Sequence, residues 1–436
     1  MAASGWFVLL VVAGVIPVVA IGTHWALWAW LGIVAVLGGI DLALAASPRR
    51  VRLERELPAR VRLGETVASR VIVTNAGRRT LRGLLRDAWS PSAQARPRRA
   101  TIQVPPGERR SVTTQLTPFR RGTRAAGDVT IRAFGPMRLL ARQATASVPG
   151  AIVVLPAFHA RKHLPSRLAR LRELDGATSL MVRGQGTEFD SLRDYVRGDD
   201  VRSIDWRATA RRSGGGAEPH LVVRTWRPER DRRVVIILDT GRSSAARIAD
   251  ETRLDTGYET ALLLGALASA AGDHVDLLLV DRRVRARVQG ASGPELLSRM
   301  VDAMADVDPE LIEPDWAALP SLVRSATSHR ALVVIGTTAE APEAARSLLG
   351  VLPELTRRHL VLLASVADPG VVALSQQRRR LSEVYLAAAA ERALADQRRM
   401  AAAVQRLGGD FVSAAPQDLP PAVADRYLAY KAAGRL

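Results

Sequence analysis

Between residues 221 and 436, short apolar runs alternate with longer segments of helical period, and this alternation restricts the fold more than any other feature. VVIILD (234–239), VDLLLVD (275–281), ALVVIGT (331–337), HLVLLAS (359–365) and DFVSA (410–414) read as strands. They are continuous in Val, Ile and Leu, as strands buried on both faces are. TGYETALLLGALASAA (256–271), PELLSRMVDAMA (294–305), PEAARSLLGVL (342–352) and the long run from Leu381 to Leu407 read as helices. A strand that must cross through a helix before it meets the next strand returns parallel to the first. Residues 221–436 are therefore expected to form an α/β doubly wound parallel sheet, with any ligand at the carboxyl ends of its strands.

The amino-terminal end obeys a different rule. Gly5–Ile21 and Trp25–Ala46 are apolar and joined by Gly22-Thr23-His24. At about 1.5 Å rise per residue, each approaches the roughly 30 Å of a bilayer's hydrocarbon core. Trp25, Trp28 and Trp30 follow the turn, where interfacial aromatics belong. No Lys or Arg precedes the first stretch and a second one follows it, which argues against a cleaved leader. Residues 1–48 thus read as a two-helix transmembrane hairpin. Arg49, Arg50, Arg52 and Arg55 follow the second span and predict that both termini are cytoplasmic. The expected location is the cell (inner) membrane, multi-pass, with the bulk of the chain in the cytoplasm. Asp41 lies near the basic end of the second span and is expected to snorkel or pair there.

Residues 49–156 change period again. VASRVIVTN, RATIQVPPG, RSVTTQLTP, AAGDVTIRA and AIVVLP are short β-rich runs separated by Asn-Ala-Gly, Pro-Pro-Gly and Gly-Pro turns. They predict a small β-sandwich, immunoglobulin-like in shape. The net charge of +19 is concentrated here: residues 1–156 hold 22 Arg against seven acids, and the rest of the chain is nearly balanced. A basic module beside a membrane suits anionic headgroups. Only Lys162 and Lys431 are lysines, so part of the excess is a compositional preference for Arg. No aromatic–basic interleaving points to nucleic acid.

Residues 157–220 connect the two regions. They open with a basic, helix-prone stretch in which His159 and His163 stand four apart without an acidic partner, a poor zinc set. The flexible Ser213-Gly214-Gly215-Gly216 closes the connector. Between these lies GQGTEFDSLRDYVRGDDVRSIDWRATARR (184–212). Phe189, Leu192, Tyr195 and Val196 recur at helical spacing, Gly198 reads as a left-handed cap, and Asp199 as the cap of the next turn. Glu188, Asp190, Asp194, Asp199, Asp200 and Asp205 are interlaced with Arg193, Arg197, Arg202, Arg207 and Arg211, which predicts an ordered ion-pair lattice with Trp206 buried in it.

The pattern formed by Gly186, Glu188, Phe189, Arg193, Tyr195, Gly198, Asp199, Asp200, Arg202, Ile204, Asp205 and Trp206 resembles the signature of the domain of unknown function 58 family. The resemblance implies a von Willebrand factor A-like fold for residues 221–436. It also implies a MoxR-type AAA+ ATPase as partner, because such proteins are commonly encoded beside one. The first strand ends in Asp239-Thr240-Gly241-Arg242-Ser243, which is similar to the D-x-S-x-S loop that holds Mg²⁺ in that fold. Asp239 and Ser243 match, Gly241 replaces a serine, and the acid that usually ends the fourth strand is replaced by Gly336-Thr337-Thr338. A degenerate site with weak Mg²⁺ affinity is the most this implies, and no other cofactor is expected. The structural alternative is that Asp239 caps the following helix or pairs with Arg242.

Cysteine is absent, which excludes disulfides, thiolate zinc sites and cysteine nucleophiles. There is no G-x-x-x-x-G-K-[ST], H-E-x-x-H or G-x-S-x-G. Two functions stand at this point. The first is a non-enzymatic, membrane-anchored adaptor that works with an AAA+ ATPase in assembly or maturation of envelope or metal-containing complexes. The second is a membrane-bound metal-dependent hydrolase using Asp199, Asp200, Asp205 and Asp239.

Overall fold

The computed structural model describes residues 2–181, 188–196, 201–212, 221–227, 232–338 and 345–436. It divides into two compact units, residues 1–157 and 158–436.

In the first unit, α1 (Gly5–Ala13) and α2 (Val15–Ile21) meet at Gly14, and α3 (His24–Leu44) follows the left-handed Gly22. The 27-residue segment His24–Arg50 is long and apolar enough to cross a membrane, whereas Gly5–Ile21 is shorter. Gly14 is a notch for Trp30: a Cβ there would lie 2.2 Å from the indole Cδ1, and the indole N–H donates to the Leu10 carbonyl at 3.0 Å. A small residue that admits a neighbour's bulk lets two helices approach closely.

Two sheets follow. β2 (Val51–Glu56), β4 (Val67–Asn75) and β7 (Arg109–Leu116) form one, antiparallel throughout. The larger sheet runs from β1 (Ala2–Ala3) through β9 (Leu140–Ala146), β8 (Gly122–Phe134) and β10 (Ala151–Leu155) to β3 (Arg60–Arg62). β5 (Leu81–Trp89) also pairs with β8 and carries β6 (Ala100–Val104) at its other edge. The inward residues of both sheets close one core, with Val71 and Val73 from the first against Leu81, Leu85, Val104 and Ile131 from the second. Period-2 alternation places them there: along β5, Leu81, Gly83, Leu85 and Asp87 face inward.

The one inward carboxylate, Asp87, is answered by Arg55, whose guanidinium bonds both its oxygens at 3.0 and 2.8 Å with both side chains buried. Arg55 was expected among the cations at the end of the second span, and that expectation is corrected: it faces the sandwich interior. Asp41 is corrected too. It neither snorkels nor finds a cation, but accepts the Met137, Leu139 and Leu140 amides at 2.8, 2.8 and 3.0 Å, tying α3 to the β8–β9 turn.

The second unit begins with a 3₁₀ turn (His159–His163) and α4 (Leu164–Met181). His159 forms no pair with His163; its Nδ1 lies 2.9 Å from Glu259. The ribbon of β11 (Glu188–Asp194) and β12 (Val222–Arg227) flanks α5 (Trp206–Arg212). Beyond it β13 (Arg233–Asp239) starts the main sheet and leads into the small hairpin β14–β15 (Arg247–Ile248, Glu251–Thr252). α6 (Arg253–Ala270), β16 (His274–Val280), β17 (Val284–Val288), α7 (Gly293–Ala305) and α8 (Leu319–Ala326) come next. Then come β18 (Ala331–Gly336), α9 (Arg346–Thr356), β19 (Leu360–Val366), α10 (Pro369–Ser375), α11 (Leu381–Arg406), β20 (Asp410–Ala414) and α12 (Leu419–Ala432).

The sheet order is β17-β16-β13-β18-β19-β20, parallel except for the edge strand β17. Val235, Ile237, Val333, Ile335 and Leu363 pack on one face against α8, α9 and the second half of α11. The chain reverses direction across the sheet between β13 and β18, so those two carboxyl ends border the crevice where such sheets bind ligands.

Candidate functional site

The signature does not form the helix its spacing predicts. Residues 188–194 are a strand, and Leu192, Arg193 and Asp194 stand opposite Arg224, Val223 and Val222. The reason is a partner 28 residues onward: the β-branched Val222 and Val223 of β12 are buried, and the antiparallel ladder gives residues 188–194 a cross-strand partner that a short isolated helix would lack at its ends. Glu188 and Phe189 belong to this strand, Tyr195 donates its N–H to Leu221, and Arg202 lies in a 3₁₀ turn. Gly186, Gly198, Asp199 and Asp200 lie outside the described residues.

Asp205 is the centre of what is described. Its Oδ1 accepts the Arg207 and Ala208 amides at 3.0 Å, capping α5, and its Oδ2 accepts Arg224 Nε at 2.8 Å. Its pKa is lowered, first by the Ala208 N–H and then by Arg224. Its ionic partner comes from β12 and not from the predicted lattice. Thr209 seals the junction by accepting the Val222 amide, and Ile204 bridges to Val223. Trp206 is 65% exposed, which corrects the expectation that it is buried. Asp205 holds the first turn of α5, on which Trp206 is exposed while Ile204 and Val223 are buried.

The second candidate lies at the strand ends. Asp239, 1% exposed, accepts the Gly241 amide on Oδ1 at 2.6 Å and the Ser243 and Thr337 hydroxyls on Oδ2, both at 2.7 Å. Burial pushes its pKa up against the pull of these three donors. Asp239 neither caps a helix nor pairs with Arg242; Arg242 reaches Glu313 at 2.7 Å. One strand over, Asp281 receives Thr240 Oγ1, Arg285 and the Arg283 amide. Burial raises its pKa, but these hydrogen bonds outweigh it and the net shift is downward. Arg285 also meets Glu310 at 2.5 Å, and the Glu310 amide donates to Thr240. The segment carrying Glu310 and Glu313 is thereby laced to the loop after β13.

That lacing explains Gly241. A Cβ there would stand 2.7 Å from the Ile312 carbonyl oxygen and 3.0 Å from Pro314 Cδ, so the space a serine would need is filled by residues 312–314. Beneath Asp239 and Thr337 a cavity of about 20 Å³, walled by Leu238, Leu254, Ala261 and Val334, has room for about one water and not for an organic substrate. Thr337 stands where the resemblance places an acid, and its signal in the sequence is the hydroxyl that follows an apolar strand. One carboxylate and two hydroxyls are hard donors of the kind Mg²⁺ accepts. Both hydroxyls, however, are engaged with that carboxylate, and no group of three His, Asp or Glu residues converges among the described residues. The set fits only a weak ion completed by water.

Residues 191–383, which include most of the ribbon, Asp239 and Thr337, match the family described as protein of unknown function DUF58. This stretch is similar to DUF58 proteins. The chain shares 26% identity over 196 residues with uncharacterised proteins of Mycobacterium bovis and Mycobacterium tuberculosis, covering 44% of this chain and 59% of theirs. The chain therefore spans 59% of the length of these relatives. Among solved structures, a CARDB domain from Pyrococcus furiosus in complex with di-metal ions is similar over 26% of this chain and 94% of its own, at 15% identity and a TM-score of 0.19. A FixG-related protein from Vibrio parahaemolyticus is similar over 24% of this chain and 94% of its own, at 13% identity and a TM-score of 0.15. The DUF58 segment starts within β11 and ends in the first turn of α11, so the sandwich lies outside it.

Proposed function

We propose that this protein is a membrane-anchored adaptor whose DUF58 segment docks an AAA+ ATPase of the MoxR type. The observation that carries this reading is Trp206: an aromatic of the family pattern, 65% exposed on a helix pinned by Asp205 and beside the exposed Arg207 and Arg211. Tryptophan and arginine on a rigid element are the residues that dominate protein interfaces. The sheet order with its antiparallel edge, and a carboxylate with two hydroxyls at the switch point, support a von Willebrand factor A-like fold as the docking module. Weak Mg²⁺ binding at Asp239 and Ser243, with Thr337, belongs to the same reading.

The Gly14–Trp30 notch supports insertion of both apolar stretches as a two-span hairpin in the bilayer. The exposed Arg49, Arg50 and Arg52 after α3 favour a cytoplasmic bulk. The hydrolase reading is the weaker one, since Asp205 caps a helix and Asp239 is saturated by three donors.

The test is a pull-down of the tagged full chain from native membranes. A MoxR-type ATPase recovered with the native chain and lost with Trp206→Ala supports the proposal. Equal recovery with both chains removes Trp206 from it, and recovery of no ATPase removes the partner.

A further inference from the structure

The sandwich holds a second feature that neither the family pattern nor the adaptor reading uses. After β5 the chain makes a 3₁₀ turn (Pro91–Ala93), passes through Gln94 and returns at Arg96 to the edge of β7. This excursion encloses a cleft of about 720 Å³ lined by Arg86, Trp89, Gln94, Arg96, Arg98 and Arg99 among others. A smaller depression adjoins it, sharing Arg86 and Arg99 and adding Arg132, Thr130 and Gln143.

All four arginines of the cleft are exposed, and none forms an ion pair among the described residues. The carboxylate in the lining, Asp87, is matched from behind by Arg55 and also accepts Ser69 Oγ and Trp89 Nε1. Arg55 also stacks 5.2 Å from the Trp89 ring, so the floor is rigid as well as charge-compensated. The rim is pinned. Arg96 and Gln115 exchange both backbone hydrogen bonds at 2.9 and 2.7 Å, and Ala93 accepts the Thr117 amide at 3.0 Å. Four like charges held around one concavity repel each other, an arrangement that an anion relieves. Guanidinium forks match the oxygens of a phosphate two at a time.

We propose that this cleft binds a phosphate-bearing anion, either the headgroup of an anionic lipid or a free di- or polyphosphate. The proposal does not depend on the ATPase partner.

The chain has no cysteine, so a single Gln94→Cys takes an environment-sensitive fluorophore at the cleft and nowhere else. Full-length protein is placed in nanodiscs of zwitterionic lipid and titrated with pyrophosphate; in a parallel series the phosphatidylglycerol content is raised instead. A saturable change in the first series identifies a free phosphate, and one confined to the second identifies the headgroup. Arg98→Gln with Arg99→Gln should weaken the responding series about tenfold. Arg70→Gln with Arg109→Gln, an equal charge loss on the other sheet, should leave it unchanged, and melts of both pairs should match the parent. No response in either series overturns the proposal. So does a response that sodium chloride reproduces at equal ionic strength, or one that both double variants weaken equally.

Discussion

Thr337 donates its hydroxyl to Asp239 Oδ2 at 2.7 Å from the end of a neighbouring parallel strand, 98 residues further along the chain. Ser243 donates to the same oxygen, so one carboxylate staples β13, its following loop and β18 together. Thr337→Val removes a buried donor and should cost about 1–3 kcal/mol. The sign of its pH dependence follows from burial. Asp239 has a folded pKa above the ordinary 3.8, so the folded state holds its proton more tightly than the unfolded chain. Stability contributed by that proton is complete below 3.8 and is lost as pH rises through the folded value. Asp205 behaves oppositely: its lowered pKa gives stability present above 3.8 and lost as pH falls through the folded value. Melts across this range should therefore lose their alkaline-going slope in Asp239→Asn and their acid-going slope in Asp205→Asn.

Gly241→Ser restores the sequence of a D-x-S-x-S loop but should not restore an ion site. The added Cβ meets Ile312 O and Pro314 Cδ, and overpacking of this kind costs about 1–3 kcal/mol. Calorimetric titration with Mg²⁺ should show no gain in affinity over the native chain, together with a lower melting temperature.

Trp206→Ala should change thermal stability by no more than about 0.5 kcal/mol, as exposed substitutions do. A drop of several kcal/mol in a denaturant melt would mean that the side chain is covered in the free protein, and the docking surface would have to be sought elsewhere.

Asp41→Ala strips three amides of their acceptor at once. With Met137, Leu139 and Leu140 left unpaired, the loss should be about 3 kcal/mol or more. Protease sensitivity of the β8–β9 turn in detergent should rise accordingly. Asp41→Asn, which keeps one acceptor oxygen, should fall between the two.

How much of this could be read in advance depended on how far each residue's partner lay. The main strands of the second unit were legible because Val234–Leu238 or Leu360–Ala364 can satisfy their apolar character only inside a sheet. The edge strand β17 was not: Val284-Arg-Ala-Arg-Val288 alternates but is only five residues long, and Val288 alone is buried. β5 was missed because Asp87 breaks its apolar face, and its neutralising Arg55 lies 32 residues away. In the signature, Phe189, Leu192, Tyr195 and Val196 satisfy helical spacing as well as they fit a ribbon; only the ladder to Val222–Arg227 distinguishes the two. Asp205 as an acid with a job was legible, and its partner Arg224 was not. The Asp239 loop was found from its pattern, while Thr337 could be recognised only once β18 lay beside β13.

Arg55 leads two lives in sequence. While the chain is being made it is a free cation just beyond an apolar helix, and it stays so until β5 has been synthesised and brought Asp87 opposite. Once the sheets close, its charge is internal and invisible to any surface. Arg49, Arg50 and Arg52 are then the exposed cations that remain after α3. Opening the sandwich would add Arg55 to them without altering a single residue of α3.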